Sequence, residues 1–153
     1  MVVLVTGGSR GIGAQCVRDF CARGDRVYFF YRSADGAAEA LARETGATAM
    51  RVDVSDRSAV CAAVDRVIAE AGRLDVLVNN AGAGIAIVPT TAQTKDTIDR
   101  IVALNLTANI YGANVLAPMM TAQRDGVIIN VSSICARHQW PGWTVYGCAK
   151  AGL

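Results

Sequence analysis

Two residue rhythms alternate along this chain, and that alternation narrows the fold more than any other feature. Short runs rich in β-branched residues give way to longer stretches with an apolar residue every three to four positions, the periods of buried strands and of one-faced helices. Strands separated by helices pair in parallel with helices laid on both sides, so the expected class is α/β, a doubly wound parallel sheet. Val2 to Thr6 is apolar on both sides of the pleat, as a strand covered on both faces must be. After it come Ile12, Cys16 or Val17, and Phe20 at helical spacing, ending near Gly24. Tyr28 to Tyr31 reads as the second strand, then Ala38, Leu41 and Ala42 as a helix stopped at Gly46. Ala49 to Val52 is the third strand, and Asp56 is placed to cap a helix whose Val60, Val64, Val67 and Ile68 form one stripe before Gly72. Val76 to Val78 is the fourth. From Lys95 to Met120 the stripe Ile98, Ile101 or Val102, Leu106, Ile110, Ala113, Leu116, Met120 predicts one long helix, which Pro118 bends or ends. Val127 to Val131 is the fifth strand, and a last helix begins near Tyr146.

Length and composition bound the function. The 153 residues suffice for one domain, and residues 1–153 are read as one. At 52% apolar and 18% charged the chain is built to pack, which excludes disordered and collagen-like classes. Its net charge is only +2, with basic residues scattered rather than clustered, so no nucleic-acid partner is expected. Apolar runs such as Val2–Val5 and Ile85–Val88 are far shorter than the roughly 20 residues of a membrane span, so no membrane association is expected. Cys16, Cys21, Cys61, Cys135 and Cys148 form an odd set with no Cys-x-x-Cys pair, read as buried free thiols in a reducing cytoplasm. His138 is the one histidine, which argues against zinc.

Directly after the first strand stands Thr6-Gly7-Gly8-Ser9-Arg10-Gly11-Ile12-Gly13. Glycines there make a tight strand-to-helix turn, let backbone approach a ligand, and leave a helix N-terminus open to a pyrophosphate. A ligand-free connection is the other reading of the same turn. The spacing is neither Gly-x-Gly-x-x-Gly nor that of a P-loop, which needs a following Lys. At the end of the second strand an acid would suit the ribose 2′-OH of NAD, and an arginine the 2′-phosphate of NADP. Here the sequence is Tyr31-Arg32-Ser33, with Arg10 as a second candidate cation. The alternative is that both arginines are solvated surface residues.

Tyr146 and Lys150, four apart at the start of a helix, share a face. A neighbouring ammonium favours the phenolate and lowers the tyrosine pKa from about 10. Ser133 follows the fifth strand, at the sheet end where such folds bind ligands. Ser132, beside it, points to the opposite face if the strand continues that far, and is left out of the site.

With these residues in place the chain resembles the short-chain dehydrogenase/reductase family over essentially its whole length. Thr6-Gly7-x-x-x-Gly11-x-Gly13 is similar to the family's cofactor loop, Asp53-Val54 to the pair that meets the adenine, and Asn79-Asn80-Ala81-Gly82 to the motif ending the fourth strand. Asn105, Ser133, Tyr146 and Lys150 match the catalytic tetrad in order and approximate spacing. The Gly-Gly-Ser-Arg-Gly-Ile-Gly loop with Tyr-Arg-Ser most resembles NADP-using 3-oxoacyl-carrier-protein reductases and related sugar or ketone reductases. The resemblance implies a Rossmann-type fold and an NADP(H)-dependent carbonyl reductase or alcohol dehydrogenase, with NAD(H) as the alternative cofactor. It places Gly7, Ser9, Arg10, Gly11, Ile12, Gly13, Arg32, Asp53, Val54, Asn80, Ala81, Gly82, Tyr146 and Lys150 at the cofactor. In this assignment Tyr146 is the proton donor, Lys150 tunes it and holds the ribose, Ser133 binds the substrate oxygen, and Asn105 holds a water. A satisfied buried amide is the other reading of Asn105. The implied partner is a small-molecule carbonyl or alcohol, including acyl-carrier-protein-linked ones, acted on by a cytoplasmic homo-oligomer. Family members run to about 250 residues, so the chain is expected to hold five of seven strands and to be incomplete at its C-terminus. The competing expectation is a nucleotide-binding, non-catalytic fragment.

Overall fold

A computed structural model of the chain describes residues 1–84, 87–138 and 140–153; Ile85 and Ala86, half of one apolar run, and Gln139 lie outside the described residues. β1 (Val2–Thr6) is buried at every position and sends alternate side chains to two separate cores. Val3 and Val5 join Val27, Phe29, Val76 and Val78 beneath Val17, Ala38 and Leu41. Val2 and Leu4 join Tyr28, Phe30 and Leu77 against Val60, Val64, Val67, Leu116 and Met120. One strand therefore anchors both layers, as the two-sided apolar pattern requires.

The strands β1, β2 (Arg26–Tyr31), β3 (Thr48–Arg51), β4 (Val76–Asn79) and β5 (Val127–Asn130) run parallel in the order β3-β2-β1-β4-β5. The chain winds outward from β1 to β3, then crosses back to β4, which leaves a crevice beyond the carboxyl ends of β1 and β4. Helices α1 (Gly11–Ala22) and α2 (Asp35–Thr45) cover one face, and α3 (Arg57–Ala71) and α5 (Ala108–Gln123) the other. Asp56 caps α3 as expected, accepting from the Ser58 and Ala59 N–H groups. Gly46 and Gly72 end α2 and α3 in the left-handed region at φ +73°.

Several boundaries differ from the sequence reading. β2 begins two residues earlier because the Arg26 N–H donates to the Met1 carbonyl, and β3 is displaced by one. Ile12 is 64% exposed, so it is not part of the buried stripe of α1, which is Gly13, Ala14 and Val17. The long helix is interrupted: α4 (Lys95–Val102) joins α5 through a π-helical turn at Ala103–Thr107. The cause is Asn105, whose side-chain amide donates to the Ile101 carbonyl, the acceptor its own backbone N–H would use in an α-helix. Pro118 sits on the exposed side of α5 and does not end it. The last helix, α6 (Thr144–Gly152), starts two residues before Tyr146. The cysteines are free, but they are half-buried at most and Cys148 is exposed, which corrects the expectation of buried thiols. Among the described residues no helix is long and apolar enough to cross a membrane, and no cluster of His, Cys, Asp and Glu could hold a metal.

Candidate active site

The crevice is built by contacts that only small residues permit. Gly7 has φ +66°, and a Cβ there would lie 2.9 Å from the Ala81 Cα. A Cβ on Gly13 would lie 2.3 Å from the Gly7 carbonyl oxygen and 2.5 Å from Asn80 Nδ2. The glycine turn is thus pressed directly on the turn after β4. Asn80 Nδ2 donates to the carbonyls of Thr6 (2.9 Å) and Gly7 (3.1 Å), while the Thr6 hydroxyl accepts from the Asn80 and Ala81 N–H groups, each at 3.0 Å. Arg10 precedes α1 without capping it by its side chain, which leaves first-turn N–H groups for a ligand.

Above this stitching lies a cavity of about 400 Å³. Of the residues singled out in the sequence, Gly7, Ser9, Arg10, Ile12, Arg32, Asp53, Val54, Asn80, Ala81, Gly82, Tyr146 and Lys150 line it. Gly11, Gly13, Asn105 and Ser133 do not; the first two shape the turn, and the last two sit behind it or beside it. Arg32 and Asp53 stand 4.0 Å apart at the rim, both well exposed. Burial pushes the Asp53 carboxyl up, but the Ser55 hydroxyl and N–H, with Arg32, outweigh it and hold the carboxyl below its ordinary value.

At the other end α6 brings Tyr146 and Lys150 to the same opening, with Lys150 Nζ 5.9 Å from the centre of the tyrosine ring. Lys150 is only 4% exposed, and its ammonium donates to the Val131 carbonyl at 2.8 Å. Burial holds its pKa below the usual lysine range. Asn105 is wholly buried, its amide donating to the Ala83 and Ile101 carbonyls and its Oδ1 accepting from the Ala83 N–H. A Cβ on Gly82 would lie 2.6 Å from Asn105 Oδ1 and 3.2 Å from Lys150 Nζ, so the glycine is what lets these two groups close on the backbone. Ser133 caps the short turn Ile134–Ala136, its hydroxyl accepting from the Cys135 N–H at 3.2 Å.

Ser132 and Leu104 are among the lining residues that escaped the sequence reading. Ser132 lines the cavity and donates to the Lys150 carbonyl at 2.8 Å, whereas the sequence reading turned it to the opposite face. The reason is that β5 ends at Asn130, so strand alternation no longer governs Ser132. Leu104, on the π-helical turn, also reaches the cavity. Position just beyond a strand's carboxyl end was the available signal for Ser132; Leu104 had none.

A profile of the family described as short chain dehydrogenase matches residues 1–153. The chain belongs to the short-chain dehydrogenase family. A cyclic-di-GMP-binding biofilm dispersal mediator protein of Escherichia coli is 40% identical over 99% of this chain and 61% of its own length. A 3-oxoacyl-[acyl-carrier-protein] reductase of Chlamydia trachomatis is 36% identical over 98% of this chain and 62% of its own. In structure, a metagenomic short-chain oxidoreductase in complex with NADP superposes with a TM-score of 0.95 at 35% identity, covering 100% of this chain and 71% of that one. The chain thus spans about three fifths of the length of the curated relatives it matches. The five-stranded parallel sheet with helices on both faces is the Rossmann-type fold of that family.

Proposed function

We propose that the complete protein is an NADP(H)-dependent oxidoreductase that interconverts a carbonyl and a secondary alcohol. The observation that carries this reading is a single cavity with the glycine turn and Arg32 toward one end and the Tyr146–Lys150 pair at the other. The turn fits a dinucleotide: Gly7 and Gly13 let it press on Asn80 and Ala81, Gly11 shapes the same turn, and Ser9, Arg10 and Ile12 border the space a pyrophosphate would take against α1. Asp53 and Val54 line the adenine side, and Asn80, Ala81 and Gly82 the floor. Arg32, with Arg10, meets a 2′-phosphate; each charge-assisted contact contributes about 1.5 to 3 kcal/mol.

The bound cofactor supplies hydride. Tyr146 holds the proton delivered to the carbonyl oxygen, or takes it in the reverse direction. Lys150 favours the phenolate electrostatically and binds the ribose, and Ser133 turns its hydroxyl to the substrate oxygen as charge develops there. Asn105, a buried amide satisfied on the Ala83 and Ile101 backbone, keeps the π-helical turn and Gly82 in place behind Lys150. Likeness to the acyl-carrier-protein reductase supports carrier-linked carbonyls among the substrates.

In the complete protein Tyr146→Phe should lower kcat on the order of 10²-fold or more while NADPH affinity, read by calorimetry, stays nearly unchanged. Wild-type kcat in that variant would overturn the reading. Arg32→Asp should reverse the NADPH over NADH preference in kcat/KM; a wild-type preference for NADH would overturn the cofactor assignment alone.

A further inference from the structure

Lys150 is held at both ends by two consecutive residues. The chain leaves β5 with a last strand-like bond, the Val131 N–H donating to the Asn79 carbonyl at 2.9 Å. The Val131 carbonyl then accepts from Lys150 Nζ at 2.8 Å, and the next hydroxyl, that of Ser132, donates to the Lys150 backbone carbonyl at 2.8 Å. The two bonds close a ring running out through the lysine side chain and back along its main chain. A lysine stem has four rotatable bonds and about 2 kcal/mol of rotamer entropy, so a bond at Nζ alone does not fix where the ammonium sits relative to α6. Tying the main chain of the same residue to the same strand end removes that freedom. The Lys150 carbonyl has two lone pairs, so the Ser132 bond is compatible with a helical N–H from a following turn.

We propose that Ser132 is a positioning residue for the reaction, its hydroxyl locking α6 to the end of β5 so that the Lys150 ammonium is kept at its distance from the Tyr146 ring. The proposal rests on the reading of Tyr146 and Lys150 as the proton-transfer pair. The Ser132 hydroxyl bonds to the Lys150 main chain and acts through it. Its partner Val131 contributes a backbone carbonyl that any residue would supply, so within this clamp the serine hydroxyl is the element that side-chain substitution can remove. Small displacements matter here, since about 1 Å of misplacement costs on the order of 100-fold in rate.

The test is a comparison of Ser132→Ala, Ser132→Thr and Lys150→Met in the complete protein, by kcat, substrate KM and the pH profile of kcat/KM with NADP(H). Losing the clamp should lower kcat about tenfold in Ser132→Ala, a fraction of the loss above, with KM nearly unchanged. Displacing the Lys150 ammonium alters the field it sets in the cavity, so a limb of the kcat/KM profile should move. Ser132→Thr keeps the hydroxyl and should restore both. An unmoved limb in Ser132→Ala, with or without a fall in melting temperature, overturns the proposal if Lys150→Met still moves it. If Lys150→Met moves nothing, the proton-transfer reading fails and the proposal with it.

Discussion

β4 and β5 are hydrogen-bonded neighbours in register, Val78 beside Ile129 and Asn79 beside Asn130, yet their surroundings are opposite. All four residues of β4 are buried; of β5, only Ile128 is even half-buried. β4 lies between two strands and two helical layers, and β5 has a neighbour on one side and a packed layer on one face. Ile128 packs on that layer, while Val127 and Ile129 remain 53% and 41% exposed. The glycine-turn end of the cavity therefore stands on closed packing, and the Tyr146–Lys150 end stands on the sheet's edge, held through Val131 and Ser132. In this chain the glycine turn and the Tyr146–Lys150 pair rest on differently buried parts of the sheet, and each can be perturbed separately.

The largest effect is expected from breaking the closed end. In Gly13→Ala the added carbon meets the Gly7 carbonyl and Asn80 together, and neither is a flexible tip free to swing away. Overpacking of this kind costs about 1 to 3 kcal/mol, or roughly 5- to 150-fold in nucleotide affinity if it is expressed in the bound turn. Calorimetric titration with NADPH reads it directly. Undiminished affinity would show that the turn is looser than its contacts indicate, and the contrast between the two ends would disappear.

What the sequence disclosed follows the same division. Strands buried on both faces announce themselves by composition, and the ends of α2 and α3 by Gly46, Asp56 and Gly72, because a left-handed residue or a cap has few chemical solutions. The glycine turn and the Tyr146–Lys150 pair were legible for that reason too. The stripe of the long helix held at Ile101, Leu116 and Met120 and failed at Ile98 and Ile110. Ile110 is 54% exposed, whereas Asn105, Asn109 and Gly112 are buried, and an apolar pattern passes over buried amides that satisfy themselves on backbone carbonyls. The π-helical turn was hidden as well, since periodicity gives a face but not which carbonyl an N–H selects. Ser132 was lost because strand alternation was carried past the last paired residue.

A smaller effect is expected at Asp75, at the amino ends of the strands. Its carboxylate accepts from the Val2 N–H at 2.7 Å and from Arg73 Nε at 2.7 Å, and its backbone carbonyl accepts from the Val127 N–H, so one residue pins β1, β4 and β5. Burial alone pushes this carboxyl up, but Arg73, the Val2 N–H and the N-terminal ammonium outweigh it and hold its pKa below the ordinary value. A depressed folded pKa means that the unfolded chain binds the proton more readily. The stabilisation is therefore complete above the unfolded value of about 3.9 and is lost as pH falls through the folded one. Urea unfolding at a series of pH values should show this acid limb. Asp75→Asn should flatten it by at most about 1.4 kcal/mol per pH unit, the bound for one proton. An unchanged slope would mean that the Asp75 charge does not hold β1 to β4.

The smallest effect on folding is expected at the open edge, and its smallness is the point of the measurement. Ile129 is partly in solvent and, among the described residues, borders no second strand, so Ile129→Lys in the 153-residue chain should change unfolding free energy by no more than about 0.5 kcal/mol. It should act instead on association: an apolar edge with unpaired backbone groups is a template for another strand, and an inward or flanking charge blocks that pairing. Sedimentation of the two chains across a concentration series should show less self-association in the lysine variant at nearly equal stability. The same substitution in the complete protein separates two situations. If β5 gains a neighbour there, the lysine is forced into a covered position and the cost rises to that of a buried charge without a partner. If the cost stays small, the edge is open in both, and the Tyr146–Lys150 end keeps its place through the Val131 and Ser132 bonds to α6 rather than through a wider sheet.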